Sequence, residues 1–410
     1  MRIFKREKYL RRIRGFYKSD DIIKVITGVR RCGKSTLMQM IASEIKASGV
    51  KEENLIFLDL DKKEYRKIRT ADQLEQLIDN ACANKRGRKY LFIDEIQNVN
   101  GFEELINAYR NEGGYSIFIT DSNSYLLSGE LATKLTGRYI EFEMIPLSFD
   151  EYLQMKAFYG KPVSAILNEE LRNYILESGF PRTIFLDSMQ DKRAYLTALV
   201  NEIFEKDIRR RLKIRNREAF EKVRHFIINN FGAMTSIKKL TSLLRSDGLT
   251  ISRATTAAYL QALKNAKIIY ECPRFDMKSK KSLSGEKKYY LSDLGFYYAA
   301  NTDNRINYGP VLENIIFAYA KSLDYSISIG RIGSLECDFI LRNSEMDYIY
   351  VQSSYTILAS RETEDREYRP LESVRDNYRK YVFTTDTLLQ KRNGIIHANL
   401  MEFIRDGKAF

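Results

Sequence analysis

The sequence predicts an α/β fold built around a parallel sheet with helices on both faces, and three observations predict it. Apolar segments of strand length alternate with helical segments through residues 1–145. A glycine loop joins the first of these strands to the helix that follows it. A later strand ends in two adjacent carboxylates. The predicted strands are residues 22–27, 55–60, 90–93, 115–120 and 138–145, and the first two are followed by predicted helices at 34–48 and 71–84.

The glycine loop between the first strand and helix has the pattern of a phosphate-binding loop. Gly28, Gly33, Lys34 and Ser35 match G-x-x-x-x-G-K-[ST] within the stretch IIKVITGVRRCGKSTL. Glycines let backbone N–H groups point at phosphate oxygens, and the start of the helix adds its positive end. Lys34 is expected to reach the β- and γ-phosphates, and the Ser35 hydroxyl is expected to bind magnesium. A chance glycine turn between a core strand and a core helix is the alternative. The residues predicted to hold ATP are Gly28, Arg31, Cys32, Gly33, Lys34, Ser35 and Thr36.

Asp94 and Glu95 end the third predicted strand, where a second motif of phosphate-loop ATPases is expected. Asp94 is predicted to bind hydrated magnesium. Glu95 is predicted to polarise the attacking water, since a carboxylate within hydrogen-bond reach can take its proton. Together with the upstream loop, the pair predicts ATP hydrolysis with a base supplied by the same chain.

Two further polar residues are candidates for contact with the γ-phosphate. Asn123 follows the next strand, where its side chain can hydrogen-bond the γ-phosphate or the lytic water, and a turn with a helix cap is the alternative. Arg138 lies between a predicted helix at 130–135 and the fifth strand. In ring-forming ATPases this is the place for an arginine offered to a neighbouring copy, and a structural salt bridge is the alternative.

Five stretches, taken in order, resemble a prokaryotic family of AAA-like ATPases: ITGVRRCGKSTL, YLFIDEIQN, SNSYLLSGELATKLTGRY, IPLSFDEYL and ESGFPR. The pair Arg30-Arg31 and the string DEIQ are the more specific parts of the resemblance. It implies an AAA-like ATPase core in residues 1–147, with ATP and magnesium as ligands, joined to a C-terminal domain of uncharacterised function. Asp121 departs from the family, which usually has glycine there. A carboxylate at that position would repel the phosphates unless it faced magnesium or solvent.

The middle of the chain predicts a helical lid and a winged-helix-like segment. Residues 148–217 carry apolar residues at helical spacing, as expected of a lid over a nucleotide. Residues 218–305 predict helices at 219–231, 237–245 and 252–265, followed by a hairpin with a lysine-rich loop. In a DNA-binding version the third helix would enter the major groove, and a protein-packing module is the alternative. The positions expected to be exposed on that helix are Arg253, Thr255, Thr256 and Gln261.

Residues 306–410 resemble a restriction-endonuclease-like α/β domain. Glu313 on a helix, Asp338 on a strand and Gln352 on the next strand match its metal-ligand positions. The lysine expected two residues after Gln352 is Ser354 here. Without that ammonium no group is evident to activate water or to stabilise the developing charge. The domain is therefore predicted to lack nuclease activity and to serve in binding or assembly.

The charge of the chain, 67 − 54 = +13, favours an anionic partner, either DNA or an acidic protein. Lysines and arginines cluster in residues 1–14, 206–217 and 278–288, and solvated helix faces and loops are the alternative for any one cluster. Four widely spaced cysteines and two histidines argue against a zinc cluster and predict reduced thiols in the cytoplasm. No uncharged apolar stretch reaches roughly 18 residues, so no membrane span is expected.

These patterns predict a magnesium-dependent ATPase whose hydrolysis changes the conformation of the appended domains, on DNA or on a protein partner. The alternative is a nucleotide-controlled DNA-binding or scaffold protein with negligible turnover, which Asp121 and the basic clusters favour.

Overall fold

The computed structural model of the protein divides the chain into two compact units, Met1–Met144 with Asn265–Lys267, and Ile145–Lys264 with Ile268–Phe410. Asn123 and the predicted helix at 130–135 lie outside the described residues. The structure describes residues 3–122, 137–209, 212, 214, 216–277, 279, 281–301 and 305–410, without the side chains of 281–284.

The described part of the first unit contains one parallel sheet. Its strands pair in the order β2-β3-β4-β1-β5, and every pair is parallel, which confirms the predicted sheet. All six residues of β1 are buried, as expected where both faces of a parallel sheet are covered. The elements are α1 (Glu7–Ile13), β1 (Ile23–Gly28), α2 (Lys34–Ala47), β2 (Leu55–Asp59), α3 (Ala71–Cys82), β3 (Lys89–Asp94), α4 (Phe102–Glu112), β4 (Tyr115–Asp121) and β5 (Tyr139–Met144).

A row of aligned side chains crosses the middle of this sheet. The rings of Phe57, Phe92 and Phe118, on β2, β3 and β4, stack with centroids 5.6 and 4.8 Å apart. Lys24, the β1 residue opposite Phe118, is fully buried and its Nζ lies 4.7 Å from that ring centroid. Burial lowers the pKa of Lys24 to about 7, and its Nζ donates a hydrogen bond to Ser116 Oγ at 2.9 Å. This packing helps to fix the register that brings the ends of β1, β3 and β4 to one edge of the sheet.

The elements that follow β5 are mixed α/β. The helices are α5 (Phe149–Phe158), α6 (Leu167–Glu177), α7 (Met189–Ile203), α8 (Arg217–Asn229), α9 (Ile237–Ser246), α10 (Arg253–Asn265), α11 (Gly295–Ala300), α12 (Tyr308–Ser322), α13 (Arg361–Glu372) and α14 (Leu400–Arg405). The strands are β6 (Ile269–Asp276), β7 (Lys281–Leu291), β8 (Ser326–Ile332), β9 (Leu335–Arg342), β10 (Tyr348–Ser353), β11 (Arg379–Thr384), β12 (Lys391–Arg392) and β13 (Ile395–Asn399).

The hairpin β6–β7 shares a sheet with the C-terminal strands. The order of this eight-stranded sheet is β12-β13-β11-β10-β9-β8-β6-β7, and β6 pairs in parallel with β8. The side chain of Asn314 on α12 donates to the carbonyl of Leu291 at 3.0 Å and accepts from its N–H at 2.8 Å. The sheet therefore runs across the boundary drawn between residues 305 and 306 from the sequence. The division into lid, winged-helix-like and C-terminal domains stays a prediction.

Helix α7 continues into a π-helix at Phe204–Arg209. One local expectation for the middle of the chain needs correction. Thr256 was expected to be exposed on the third helix, but it is fully buried. Its Oγ1 donates to the carbonyl of Ser252 at 3.0 Å and accepts from Thr241 Oγ1 at 3.1 Å, so it packs α10 against α9.

Candidate functional site

The loop between β1 and α2 turns at backbone positions with positive φ. These are Gly28 at +143°, Arg31 at +68° and Gly33 at +111°. A Cβ on Gly28 would lie 2.2 Å from the carbonyl oxygen of Met144 on β5. Cys32 is buried inside the turn, and burial raises the pKa of its thiol. The first glycine is thus required both by its φ and by the close approach of β5.

Gly28→Ala is expected to destabilise the full-length chain by about 3 kcal/mol or more, because the added methyl group overlaps a backbone oxygen. Gly49→Ala is the matched control, since Gly49 also has a positive φ of +96° but no atom within 4 Å of its added Cβ. That variant should lose only about 1–2 kcal/mol. Urea unfolding measures both, and equal losses would show that the contact with Met144 is unimportant.

Lys34 begins α2, and its ammonium lies within the glycine loop. The residue is buried, and its Nζ donates to the carbonyl of Gly28 at 3.1 Å and approaches that of Val29 at 3.5 Å. Ser35 and Thr36, the next residues of the helix, are exposed. The start of the helix therefore combines its own positive end with an ammonium and two accessible hydroxyls, a combination suited to a phosphate.

Asp94 ends β3 beside β4. Its carboxylate is 2% exposed and accepts a hydrogen bond from the Thr120 hydroxyl. Its partner on β2 is Asp59, whose pKa is raised by burial and by the charge of Asp94. Because the strands are parallel, Asp94 and the loop that leads to Ser35 lie at the same edge of the sheet.

The oxygen donors at this edge fit magnesium. A hydroxyl from Ser35 and a carboxylate from Asp94 are ligands that this ion prefers. Within the described residues, no group of three or more His, Cys, Asp or Glu side chains is arranged to hold a metal ion. A magnesium ion here would therefore depend on phosphate oxygens and water for the rest of its coordination.

Glu95 follows Asp94 in a left-handed backbone conformation, with φ 55° and ψ 48°. Its N–H donates to Thr120 Oγ1 at 2.9 Å, which fixes the turn against β4. Its carboxylate is buried and accepts hydrogen bonds from Ser122 Oγ at 3.1 Å and from the amide of Gln97. The side chain is thus held in one position from two directions.

The electrostatic surroundings of Glu95 make it a stronger base than an ordinary glutamate. Burial raises the pKa of its carboxyl group, and the positive charges of Lys34 and Arg30 oppose that rise without cancelling it. The charge of Asp94 adds to the rise. A carboxylate with a raised pKa accepts a proton from water more readily at neutral pH.

Four residues for which the sequence predicted no role lie around the carboxylates of Asp94 and Glu95. They are Arg30, Gln97, Thr120 and Ser122. Arg30 and Gln97 belong to the arginine pair and the DEIQ string, so a signal for them was present. Thr120 and Ser122 are ordinary polar residues at the end of β4, and only the pairing of β3 with β4 places them.

The remaining predicted site residues are Asn123 and Arg138. Asn123 lies outside the described residues. Arg138 is exposed just before β5, and its backbone carbonyl accepts a hydrogen bond from the N–H of Ile23 at 2.9 Å. Asp121 is fully buried at the end of β4 and does not face solvent.

The structure brings a lysine to the acidic residues of the C-terminal region, where none was evident from the sequence. Lys288 on β7 lies with its Nζ 3.0 Å from Glu313 Oε2 and 3.1 Å from Glu336 Oε1. Burial disfavours its charged form, but the carboxylates of Glu313, Asp338 and Glu336 outweigh burial and raise its pKa. The hydroxyl of Tyr290 donates to the same Glu313 oxygen at 2.6 Å. An ammonium from another strand therefore offsets part of the negative charge of this cluster.

The other two predicted ligands, Asp338 and Gln352, lie beside each other. Asp338 Oδ2 accepts from the N–H and hydroxyl of Ser353 at 2.8 and 3.0 Å. The amide of Gln352 donates to Glu367 Oε2 at 3.0 Å and lies 3.5 Å from Asp338 Oδ1. Burial and the charge of Glu313 raise the pKa of Asp338 to about 8, against the opposing charge of Lys288.

Lys288→Met is expected to destabilise the chain by about 3 kcal/mol at neutral pH, because it removes a buried ammonium and leaves the mostly buried Glu313 carboxylate without its cation. Loss of the ammonium raises the folded-state pKa of Asp338 further. The folded state then binds more protons than the unfolded state, so the deficit grows as pH rises and shrinks as pH falls.

Lys287→Met is the matched control for Lys288→Met. Lys287 is the adjacent residue of β7, pairs with Glu271 nearer the surface and should cost under about 1 kcal/mol when replaced. The free energy of unfolding of both variants is measured by urea titration at several pH values between about 5 and about 9. A pH-independent deficit in Lys288→Met would contradict the assigned role.

Much of the described basic charge is already paired within the chain. Lys206 pairs with Glu202 at 2.8 Å, and Arg209 pairs with Glu205 at 2.9 Å. Of the lysine-rich loop, residues 278 and 280 lie outside the described part. In the described part of the third basic cluster, Lys287 pairs with Glu271, and Lys288 pairs with Glu313. In the described part of the chain, no helix is both long and apolar enough to cross a membrane.

Comparison with known proteins identifies related sequences and a solved structure with a similar fold. The AAA-domain profile matches residues 20–153, and the profile of a domain of unknown function (DUF8612) matches residues 168–306. An uncharacterised protein of Haemophilus influenzae is 34% identical over 379 residues, which is 92% of each chain. An uncharacterised protein of Methanocaldococcus jannaschii is 33% identical over 80% of this chain and 74% of its own length. A solved Walker-type ATPase of Pyrococcus abyssi is similar in fold, with a TM-score of 0.51, 16% identity, and coverage of 72% of this chain and 95% of that one.

Proposed function

Because the chain belongs to a family of AAA-domain proteins, we propose that it is a magnesium-dependent ATPase. The observation that carries this proposal is the arrangement at one edge of the parallel sheet. A buried ammonium, Lys34, lies within a glycine loop, and a buried carboxylate with a raised pKa, Glu95, follows a strand of the same sheet. These are the two groups that phosphate binding and water activation need.

Binding is assigned to the loop and the start of α2. Backbone N–H groups between Gly28 and Thr36 would surround the phosphates, and Lys34 would exchange its bonds to loop carbonyls for bonds to β- and γ-phosphate oxygens. Ser35 and Asp94 would hold magnesium. When bound, magnesium supplies positive charge that stabilises the phosphoryl group during transfer.

Hydrolysis is assigned to Glu95. Its carboxylate would accept a proton from a water molecule as the water oxygen attacks the γ-phosphorus and the bond to the β–γ bridging oxygen breaks. ADP leaves with the bridging oxygen, and inorganic phosphate carries the oxygen of water. Asn123 would contact the water or the γ-phosphate, and Arg138 would reach the γ-phosphate of a neighbouring copy.

Phosphate release from ATP with magnesium tests this proposal in the full-length chain. We expect release that depends on magnesium and is lost with EDTA. The same assay with duplex DNA tests the proposed coupling to a nucleic acid, and particle mass with ATP tests the proposed homo-oligomer. Absence of turnover under all of these conditions would contradict the ATPase proposal.

The second candidate is a nucleotide-controlled DNA-binding or scaffold protein with negligible turnover. The burial of Asp121 at the end of β4, close in sequence to Ser122, favours it, since a negative charge near the phosphates slows transfer. It predicts tight ATP binding, no phosphate release and DNA binding that weakens with salt.

For the second unit we propose the following roles. Helices α8–α10 with the hairpin β6–β7 would act as a winged helix, and residues 306–410 as a restriction-endonuclease-like domain used in binding or assembly rather than cleavage. Hydrolysis would change the conformation of these parts in the cytoplasm. Duplex cleavage that disappears in Asp338→Ala would contradict the absence of nuclease activity.

A further inference from the structure

We infer that Arg30 contacts the γ-phosphate from within the same chain and, through Ser122, positions Glu95. The inference rests on the proposed ATPase function and adds to it the arginine that distinguishes ATP from ADP. It differs from the proposal for Arg138, which requires a neighbouring copy.

The Arg30 side chain lies next to the candidate site. Arg30 lies in the glycine loop two residues after Gly28, and its side chain is only 10% exposed. Its Nη2 lies 3.5 Å from Ser122 Oγ, at the end of β4. Its Nη1 lies 3.8 Å from Asp61 Oδ2, a carboxylate whose side chain is 50% exposed. The guanidinium thus lies between the phosphate loop and the edge where Asp94 and Glu95 end their strand.

One hydroxyl connects this guanidinium to the proposed base. Ser122 Oγ donates to Glu95 Oε2 at 3.1 Å. Because a serine hydroxyl has a single proton, the same oxygen acts as acceptor toward Arg30 at 3.5 Å and toward Gln97 at 3.4 Å. Movement of the guanidinium therefore changes the hydrogen bonds that hold the Glu95 carboxylate.

The chemistry of the side chain suits a phosphate. A guanidinium offers parallel N–H groups that match two phosphate oxygens, whereas a lysine ammonium offers only a point charge. A buried arginine within reach of the γ-phosphate also stabilises the charge that develops during transfer. Its Nη1 lies 3.8 Å from the half-exposed Asp61 carboxylate, and an ion pair at that distance with an exposed partner is weak.

Gln97 also helps to hold the proposed base. Its amide N–H group donates to the Glu95 carboxylate and lies 3.4 Å from Ser122 Oγ.

Arg30→Ala and Arg30→Lys test the inference in the full-length chain, with Arg88→Ala as the control. Arg88 also pairs with an aspartate, Asp20 at 3.3 Å, but its side chain is 36% exposed and lies outside the proposed machinery. Affinity for ADP, affinity for a slowly hydrolysed ATP analogue and the single-turnover rate are measured for each variant.

In Arg30→Ala we expect ADP affinity to stay within about twofold, affinity for the ATP analogue to fall about tenfold, and the single-turnover rate to fall on the order of 10²-fold. Arg30→Lys should recover part of the analogue affinity but little of the rate, because lysine cannot form the paired contact. Arg88→Ala should match the wild type.

The outcomes separate this inference from the proposed function. A wild-type chain that neither binds ATP nor hydrolyses it would overturn the ATPase proposal and the inference together. A wild type that hydrolyses ATP while Arg30→Ala keeps its rate and its preference for the analogue over ADP would overturn the inference alone. If Arg30→Ala does not fold, a wild-type rate in Arg30→Lys would overturn it equally.

Discussion

Lys34→Ala is expected to abolish measurable ATP binding. The variant removes the ammonium that lies within the glycine loop, where it now bonds the carbonyl of Gly28 at 3.1 Å. Two charge-assisted hydrogen bonds to phosphate, each worth about 1.5–3 kcal/mol, correspond to a loss of roughly 10²–10⁴ in affinity. Titration with a fluorescent ATP analogue, followed by calorimetry, measures this change.

Lys46→Ala is the matched control for the loss of an ammonium from the same helix. Lys46 lies in the last turn of α2, is exposed and pairs with Glu52 at 2.7 Å. It should bind ATP as the wild type does, because an exposed pair contributes under about 1 kcal/mol and lies outside the loop. Wild-type affinity in Lys34→Ala would place nucleotide binding somewhere other than this loop.

Glu95→Gln is expected to keep ATP binding and lose turnover by about 10²–10⁴-fold. Glutamine preserves the shape of the side chain and can still accept hydrogen bonds from Ser122, but it cannot take a proton from water. Nucleotide affinity and single-turnover phosphate release, measured on the same preparation, separate the two effects. Normal turnover in this variant would show that another group is the base.

The pH dependence of the wild-type turnover rate is a second test of Glu95 as the base. Burial raises the pKa of Glu95, and the base acts only when it is ionised. Turnover should therefore increase with pH through a value above that of an ordinary glutamate. The control Glu112→Gln, at an exposed position at the end of α4, should leave both the rate and the pH profile unchanged.

The parallel sheet and its loop could be predicted from the sequence because their signals are local. Most strands of the first unit read as short, mainly apolar runs, and the spacing from Gly28 to Ser35 specifies the loop without reference to distant residues. The paired acids Asp94 and Glu95 were found for the same reason. Their roles, like those of the loop residues, stay predictions until nucleotide binding is measured.

The residues that hold Glu95 could not be predicted in the same way. Thr120 and Ser122 reach it only because β4 pairs with β3, and a sequence does not state which strands are neighbours or which rotamers meet. Lys288 is a similar case. It precedes Glu313 by 25 residues, so the sequence did not show that this lysine takes the place of the one missing near Gln352.

The position of the hairpin β6–β7 constrains how this protein can be divided or recombined. The family profile that covers this region stops at residue 306, whereas β6 bonds β8 through Arg274–Asp276, so the sheet is only completed by strands beyond that point. A chain that ended at residue 306 would leave the edge of β6 without its partner strand. An unpaired strand edge can form backbone hydrogen bonds with another molecule and so favours aggregation. Exchange of residues 306–410 alone between relatives would disrupt the pairing of β6 with β8. The hairpin β6–β7 and residues 306–410 are therefore expected to be inherited together.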